Sequence, residues 1–336
     1  MNAPAIRARA ARLLLGVALP AIGCATADDA GAGAGTVAAA AAARTVPDDR
    51  ALLGVVPAGP ETVLEIDLAQ LRASPWSKSL LAGRPAEERQ ARQAALGYDE
   101  IADVDRMIFA VTEDAAGPLV FTVSQGRFDA AAVGKGFAAT HPGAVADPWR
   151  GSALWRAGDE AVALLTARTL VAGRLPTVRA SIDCGFGLSP DARGGELGPL
   201  RRALEPERGN PALLATVGVG EPMRRRIGDA FEVPEGLRHA GARLDLGSAL
   251  DVSVLAFLDR PQQAEAAARL AQQSLTDLRG RPLLRVFGLA ALLDGAGFQA
   301  EGSRLRGHLT IPEAARDDLA QKLGVIIETL RRARPR

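Results

Sequence analysis

The chain has 336 residues and a formal net charge of +1. Leaving out Arg7, Arg9 and Arg12 brings the segment from Cys24 onward to −2, near neutral for its size. That argues against a nucleic-acid binder, whose folded domain would carry a strong basic excess. Two cysteines, Cys24 and Cys184, allow at most one bridge, and aromatic residues at 4% leave Leu, Val and Ala to build the core.

The three arginines precede an apolar run from Leu13 to Gly23, and no acidic residue occurs before Asp28. This is the charge pattern of a secretory signal, and the run is too short for a span of about 20 apolar residues. Ala21-Ile22-Gly23-Cys24 resembles a bacterial lipobox. Residues 1–23 are therefore expected to be a lipoprotein signal peptide, and Cys24 the acylated first residue that anchors the mature chain in a membrane. Ala25-Thr26-Ala27 offers ordinary signal peptidase a rival cut that would leave a soluble chain starting at Asp28. Ala25 after the cysteine points by the enteric sorting rule to the outer membrane. Residues 24–50, rich in Ala, Gly and Asp without an apolar period, read as a flexible tether.

Roughly 290 residues remain, enough for one large or two ordinary domains. A strand from Val63 to Leu68 leads into a helix, followed by strands Arg106 to Thr112 and Leu119 to Ser124 and a helix Asp129 to Ala139. A strand pair, Trp149 to Arg156 with Ala161 to Ala172, and a helix close the first stretch. The order repeats from Leu213 to Val219, with strands Ala242 to Leu246 and Leu250 to Leu258, a helix Pro261 to Leu278, and the pair Phe298 to Gly302 with Leu305 to Ile311. The expected fold is α+β, with two repeated β-α-β-β-α-β-β-α units at about 57–190 and 206–333. Domains are drawn at 51–195 and 196–336.

Ala242, Leu244 and Leu246, then Leu250, Val252 and Val254, alternate with polar residues, the period of a strand with one wet face. Gly247-Ser248 and Gly302-Ser303 supply hairpin turns. Mainly antiparallel sheets are expected, with helices on one face. Thr310 and Glu313 have capping-box spacing before a last helix striped by Leu319, Leu323, Ile326, Ile327 and Leu330. The ending RRARPR reads as a solvated basic tail.

Little of this sequence carries chemistry. His141, His239 and His308 stand apart, with His308 on a polar strand face and His239 in a turn, so no metal or cofactor is expected. "AVGKGFAAT" fails the phosphate-loop spacing, since the first glycine would fall at Asp129 and Gly136 stands where Ser or Thr should hold magnesium. No serine-hydrolase elbow, CxxC pair, zinc helix or dinucleotide fingerprint occurs. Glu65 and Asp67 share a strand face as a carboxylate pair would, although Asp67 can equally cap the following helix. Arg224, Arg225 and Arg226 could hold an anion or simply face water. Cys184 reads as a small buried side chain near a helix end. Trp149 and Trp155 would share a face on a continuous strand unless Gly151 breaks it.

"VPAGPETVLEIDLAQLRASPW", "YDEIADVDRMIFAV", "LVAGRLPTVRASID" and "LLRVFGLAALLDGAGFQAEGSRLRGHLTI" resemble segments of uncharacterised exported proteins and lipoproteins of high-GC bacteria. The resemblance implies export and the repeated α+β fold, and supplies no activity. The expected function is a lipid-anchored periplasmic interaction module with a protein partner. The alternatives are a carrier or sensor of a lipid or other apolar ligand held between the two units, and an enzyme using Asp67 or Cys184.

Overall fold

A computed structural model describes residues 52–76, 86–114, 117–205, 211–221, 223–224, 233–286, 288–319 and 321–322. The signal, Cys24, the tether, Arg225, Arg226 and the helix stripe from Leu323 onward lie outside these residues.

Among these residues twelve strands form one sheet: β1 (Thr62–Asp67), β2 (Val104–Asp114), β3 (Gly117–Gly126), β4 (Val145–Ala146), β5 (Ala153–Ala157), β6 (Glu160–Thr166), β7 (Thr169–Arg174), β8 (Leu213–Gly218), β9 (Leu237–Leu246), β10 (Leu250–Leu258), β11 (Gly297–Glu301) and β12 (Arg304–Ile311). Among the described residues seven helices accompany them: α1 (Leu68–Ala73), α2 (Ala86–Leu96), α3 (Ala130–Thr140), α4 (Leu175–Gly185), α5 (Gly198–Leu204), α6 (Pro261–Arg279) and α7 (Pro282–Val286). The fold is α+β, with a large antiparallel sheet.

The strand order is β11-β12-β10-β9-β8-β1-β2-β3-β7-β6-β5-β4. A single sheet therefore replaces the separate ones expected. At its centre β1 pairs antiparallel with β8, Val63 opposite Thr216 and Glu65 opposite Leu214. This seam leaves every strand before residue 175 on one side and every strand after residue 212 on the other. Pairing β1 with β8 satisfies the backbone donors and acceptors that either strand would otherwise leave bare on that edge.

Helices cover both faces, correcting the one-sided arrangement expected. On one face Val63, Ile108, Phe121, Val123 and Val171 pack under Val178 and Ile182 of α4 and the turn Leu52–Gly54. Leu214 and Leu255 lie under Leu200 and Leu204 of α5 on that face. On the other, Met107, Leu164 and Leu170 meet Val133 and Phe137 of α3, while Ala256, Leu258 and Leu305 meet Ala264 and Ala267 of α6. Strands in the middle of such a sandwich bury alternate residues on both sides. Each fully buried side chain such as Ile108 or Phe121 contributes about 1.5–3 kcal/mol.

Three local expectations change. The stretch Ala161 to Ala172 is two strands, because the turn at Ala167-Arg168, held by the Arg168 amide on Thr166 Oγ1 at 3.0 Å, reverses the chain. Strand β9 starts at Leu237 rather than Ala242, so His239 lies within it and not in a turn. The capping box does not form: Thr310 ends up in β12 and its hydroxyl donates to Asp251 at 2.6 Å. The hairpin at Gly247-Ser248 is as expected, with the Gly247 amide on the Ala249 carbonyl at 3.0 Å.

Candidate functional site

The alternation of "ETVLEID" sends Val63 and Glu65 to the same face of β1, and both are buried. A carboxylate there requires a partner, and it comes from α5. Arg201 Nη2 donates to Glu65 Oε2 at 2.9 Å, Nη1 meets Oε1, and Nε donates to Glu205 at 2.7 Å. Arg106 Nη2 stands 3.9 Å from Glu65. Burial pulls the Arg201 guanidinium below its ordinary value, and Glu205 opposes that pull. Asp67 accepts from the Gln70 amide at 2.7 Å and caps α1. The two carboxylates line one small cavity of about 230 Å³ with Arg106, Arg201 and Glu205, but one is ion-paired and the other is a cap. Neither is arranged as an acid–base pair.

Arg201 also borders a second, larger cleft of about 890 Å³ over the same face. Its floor is the end of the seam, where Val63, Thr216, Gly218 and His239 lie side by side on β1, β8 and β9. Leu53 and Leu197 form apolar walls. Gly218 keeps the floor open: a Cβ there would meet nothing nearer than 3.6 Å. Gly59, at φ +86, turns the chain on the rim, with nothing within 4 Å of a Cβ. The volume falls in the range of about 300–1,000 Å³ usual for ligand sites.

Arg224 reaches this cleft and donates to the Leu237 carbonyl. The His239 ring makes no hydrogen bond among the described residues and lies beside Gly218. Local periodicity places His239 in a turn and begins the strand at Ala242, after Gly241. In the fold that glycine is required within β9, where a Cβ would stand 2.6 Å from Leu204 of α5. Arg201 was equally hidden, since its partner Glu65 is 136 residues away. Of the residues expected to contact a ligand, Glu65 and Asp67 share the small cavity and Arg224 lies in the cleft beyond Arg201.

The remaining chemistry-bearing residues have structural duties. Cys184 is fully buried, its thiol donating to the Pro190 carbonyl at 3.3 Å. His141 stacks on Phe137 with centroids 4.1 Å apart and lies 2.7 Å from Glu160, while His308 is exposed on β12. Gly151 does break the strand: Trp149 packs with the core on the face under α4 and Trp155 with that under α3. The phosphate-loop lookalike is the body of α3, where Gly134 lies against Trp155 and Gly136 against the end of α2. Among the described residues no helix is long and apolar enough to cross a membrane.

No protein-family model matches the chain, and no curated protein does. Among solved structures, crystal forms I, III and IV of TP0453 align with a TM-score of 0.47 at 11–12% identity, covering 80–82% of this chain and 96–97% of that one. That likeness is too distant to carry a function across.

Proposed function

We propose that this chain is an exported, lipid-anchored, non-catalytic binding protein that holds an apolar ligand in the cleft at the seam. The observation that carries this is the cleft itself: about 890 Å³, walled by Leu53 and Leu197 and kept open by Gly218. A site of that size with apolar walls and a few convergent polar groups suits a small hydrophobic or amphiphilic molecule. The lipobox-like segment ending at Cys24, followed by a tether, supports delivery of that site to a membrane surface.

The strand order supports a duplicated α+β unit. Reading outward from the seam, β2-β3-β7-β6 on one side has its counterpart in β9-β10-β12-β11 on the other, and a helix follows β3 and β10 alike. Segments 51–195 and 196–336 expressed as separate chains should then reassemble through β1 and β8. Failure to associate would count against it.

Binding is tested with N-phenyl-1-naphthylamine, whose fluorescence rises in an apolar site. Saturable binding is expected in the native protein and in Gly218→Ala, whose methyl the floor accommodates, and at least about tenfold weaker binding in Gly218→Phe. Equal binding by all three, with unchanged thermal unfolding, would overturn the cleft reading and return attention to a protein partner. Anchoring is tested by intact mass and fractionation. Cys24→Ser should lose the acyl mass and leave the membrane fraction, whereas a native chain starting at Asp28 would make the protein soluble.

A further inference from the structure

The cleft has apolar walls at Leu53, Val63 and Leu197, but its charged groups are distributed unevenly between its ends. At the β1 end, Glu61 precedes the strand and pairs its backbone with Gly218, and Arg201 is neutralised by Glu65 and Glu205. Glu196 is exposed on the α5 wall. At the β9 end stand Arg224 and His239. A guanidinium has five N–H donors, and the bond to the Leu237 carbonyl engages one nitrogen of Arg224. The two ring nitrogens of His239 engage none among the described residues. Arg238 adds a third basic group at the rim, held by Asp259. His239 stands two strand spacings, about 9–10 Å, from Glu61 across the sheet, so the basic end is separated from the acidic one.

On the reading of the cleft as a binding site, we infer that its ligand is an amphiphile with one anionic head, a carboxylate or a phosphate monoester, seated between Arg224 and His239 with its chain along Val63, Leu53 and Leu197. Charge-assisted hydrogen bonds from a guanidinium are stronger than neutral ones. A neutral ligand filling the cleft would strip water from Arg224 and return no counter-charge. An anionic head supplies that charge, and the apolar walls take the tail.

The test is isothermal titration of the full chain carrying Cys24→Ser with dodecanoate, dodecyl phosphate and dodecanol below their aggregation limits. At least one anionic ligand should bind about tenfold or more tightly than dodecanol, a difference of about 1.4 kcal/mol. Arg224→Met and His239→Leu should each erase most of that preference by weakening the anionic ligands, and Arg224→Met should bind dodecanol no more weakly than the native chain does, since no guanidinium is then stripped of water. The second variant breaks no described hydrogen bond, so it guards against a folding defect in the first. A preference for dodecanoate assigns a free fatty acid, and one for dodecyl phosphate a phospholipid-like head. Equal affinity for all three, or a preference unaltered in both variants, overturns the anionic head and leaves the cleft reading standing. No binding of any of the three, or binding unaffected by Gly218→Phe, overturns the cleft reading and this inference with it.

Discussion

Arg201 and Glu65 face each other across the seam, the guanidinium Nη2 donating to the carboxylate at 2.9 Å over 136 residues of sequence. With side chains only 21% and 11% exposed, the pair is costly to break from one side, because the remaining charge stays buried. Arg201→Met should lower the unfolding free energy by about 3 kcal/mol, as read by urea denaturation. Replacing both, Arg201→Met with Glu65→Leu, should recover most of that loss. Additive single effects would show that the pair does not couple across the seam.

The short fit between α2 and α3 makes a second prediction. A Cβ on Gly136 would stand 2.7 Å from the Gly97 amide nitrogen and from the Leu96 carbonyl carbon, both backbone atoms with little freedom to move. Ala is a better helix former than Gly by roughly 1 kcal/mol, so a free helix would gain from Gly136→Ala. In this protein the overpacking should prevail, with a net loss of about 1–2 kcal/mol. A raised melting temperature would refute the close contact.

Asp67 and Glu65 share a strand face but should separate on mutation. Asp67→Ala removes the acceptor for the Gln70 amide and should cost about 1 kcal/mol, the usual value of an N-cap, with probe binding in the larger cleft unchanged. A loss of binding without a loss of stability would give Asp67 a place in the site.

At alkaline pH a different group decides. Burial pushes the Tyr98 phenol up from its ordinary value near 10, Glu100 adds to the rise, and Arg92 offsets it in part. Tyr98 packs edge-on to Phe128 with ring centroids 5.1 Å apart. The unfolded chain ionises near pH 10 while the folded one resists, so this stability is fully present below pH 10 and declines as pH rises above it. Tyr98→Phe should flatten the decline measured by denaturation between about pH 9 and 11.

Strand alternation was legible wherever one face of a strand is wet. Leu305, Gly307 and Ile311 are buried and Arg304, Arg306 and His308 exposed, as the period of two requires. Alternation is less informative in β6, where Ala161 to Leu165 are buried without a break, and the turn that ends the strand has no glycine or proline to mark it. The capping-box spacing at Thr310 and Glu313 was a real signal that lost to tertiary competition, since Asp251 on the neighbouring strand takes the hydroxyl first.

By itself the sequence determined the α+β class, the hairpins and the burial of Cys184 and offered the cap at Asp67 as one of two readings, all from local periodicity, turn residues and side-chain chemistry. Only the tertiary structure decided that β1 and β8 join two groups of strands into one sheet, that helices cover both of its faces, and that Arg201 and His239 converge with Arg224 on a cleft. Those choices rest on satisfying sheet edges and buried charges between segments far apart in the chain, where local periodicity has no reach.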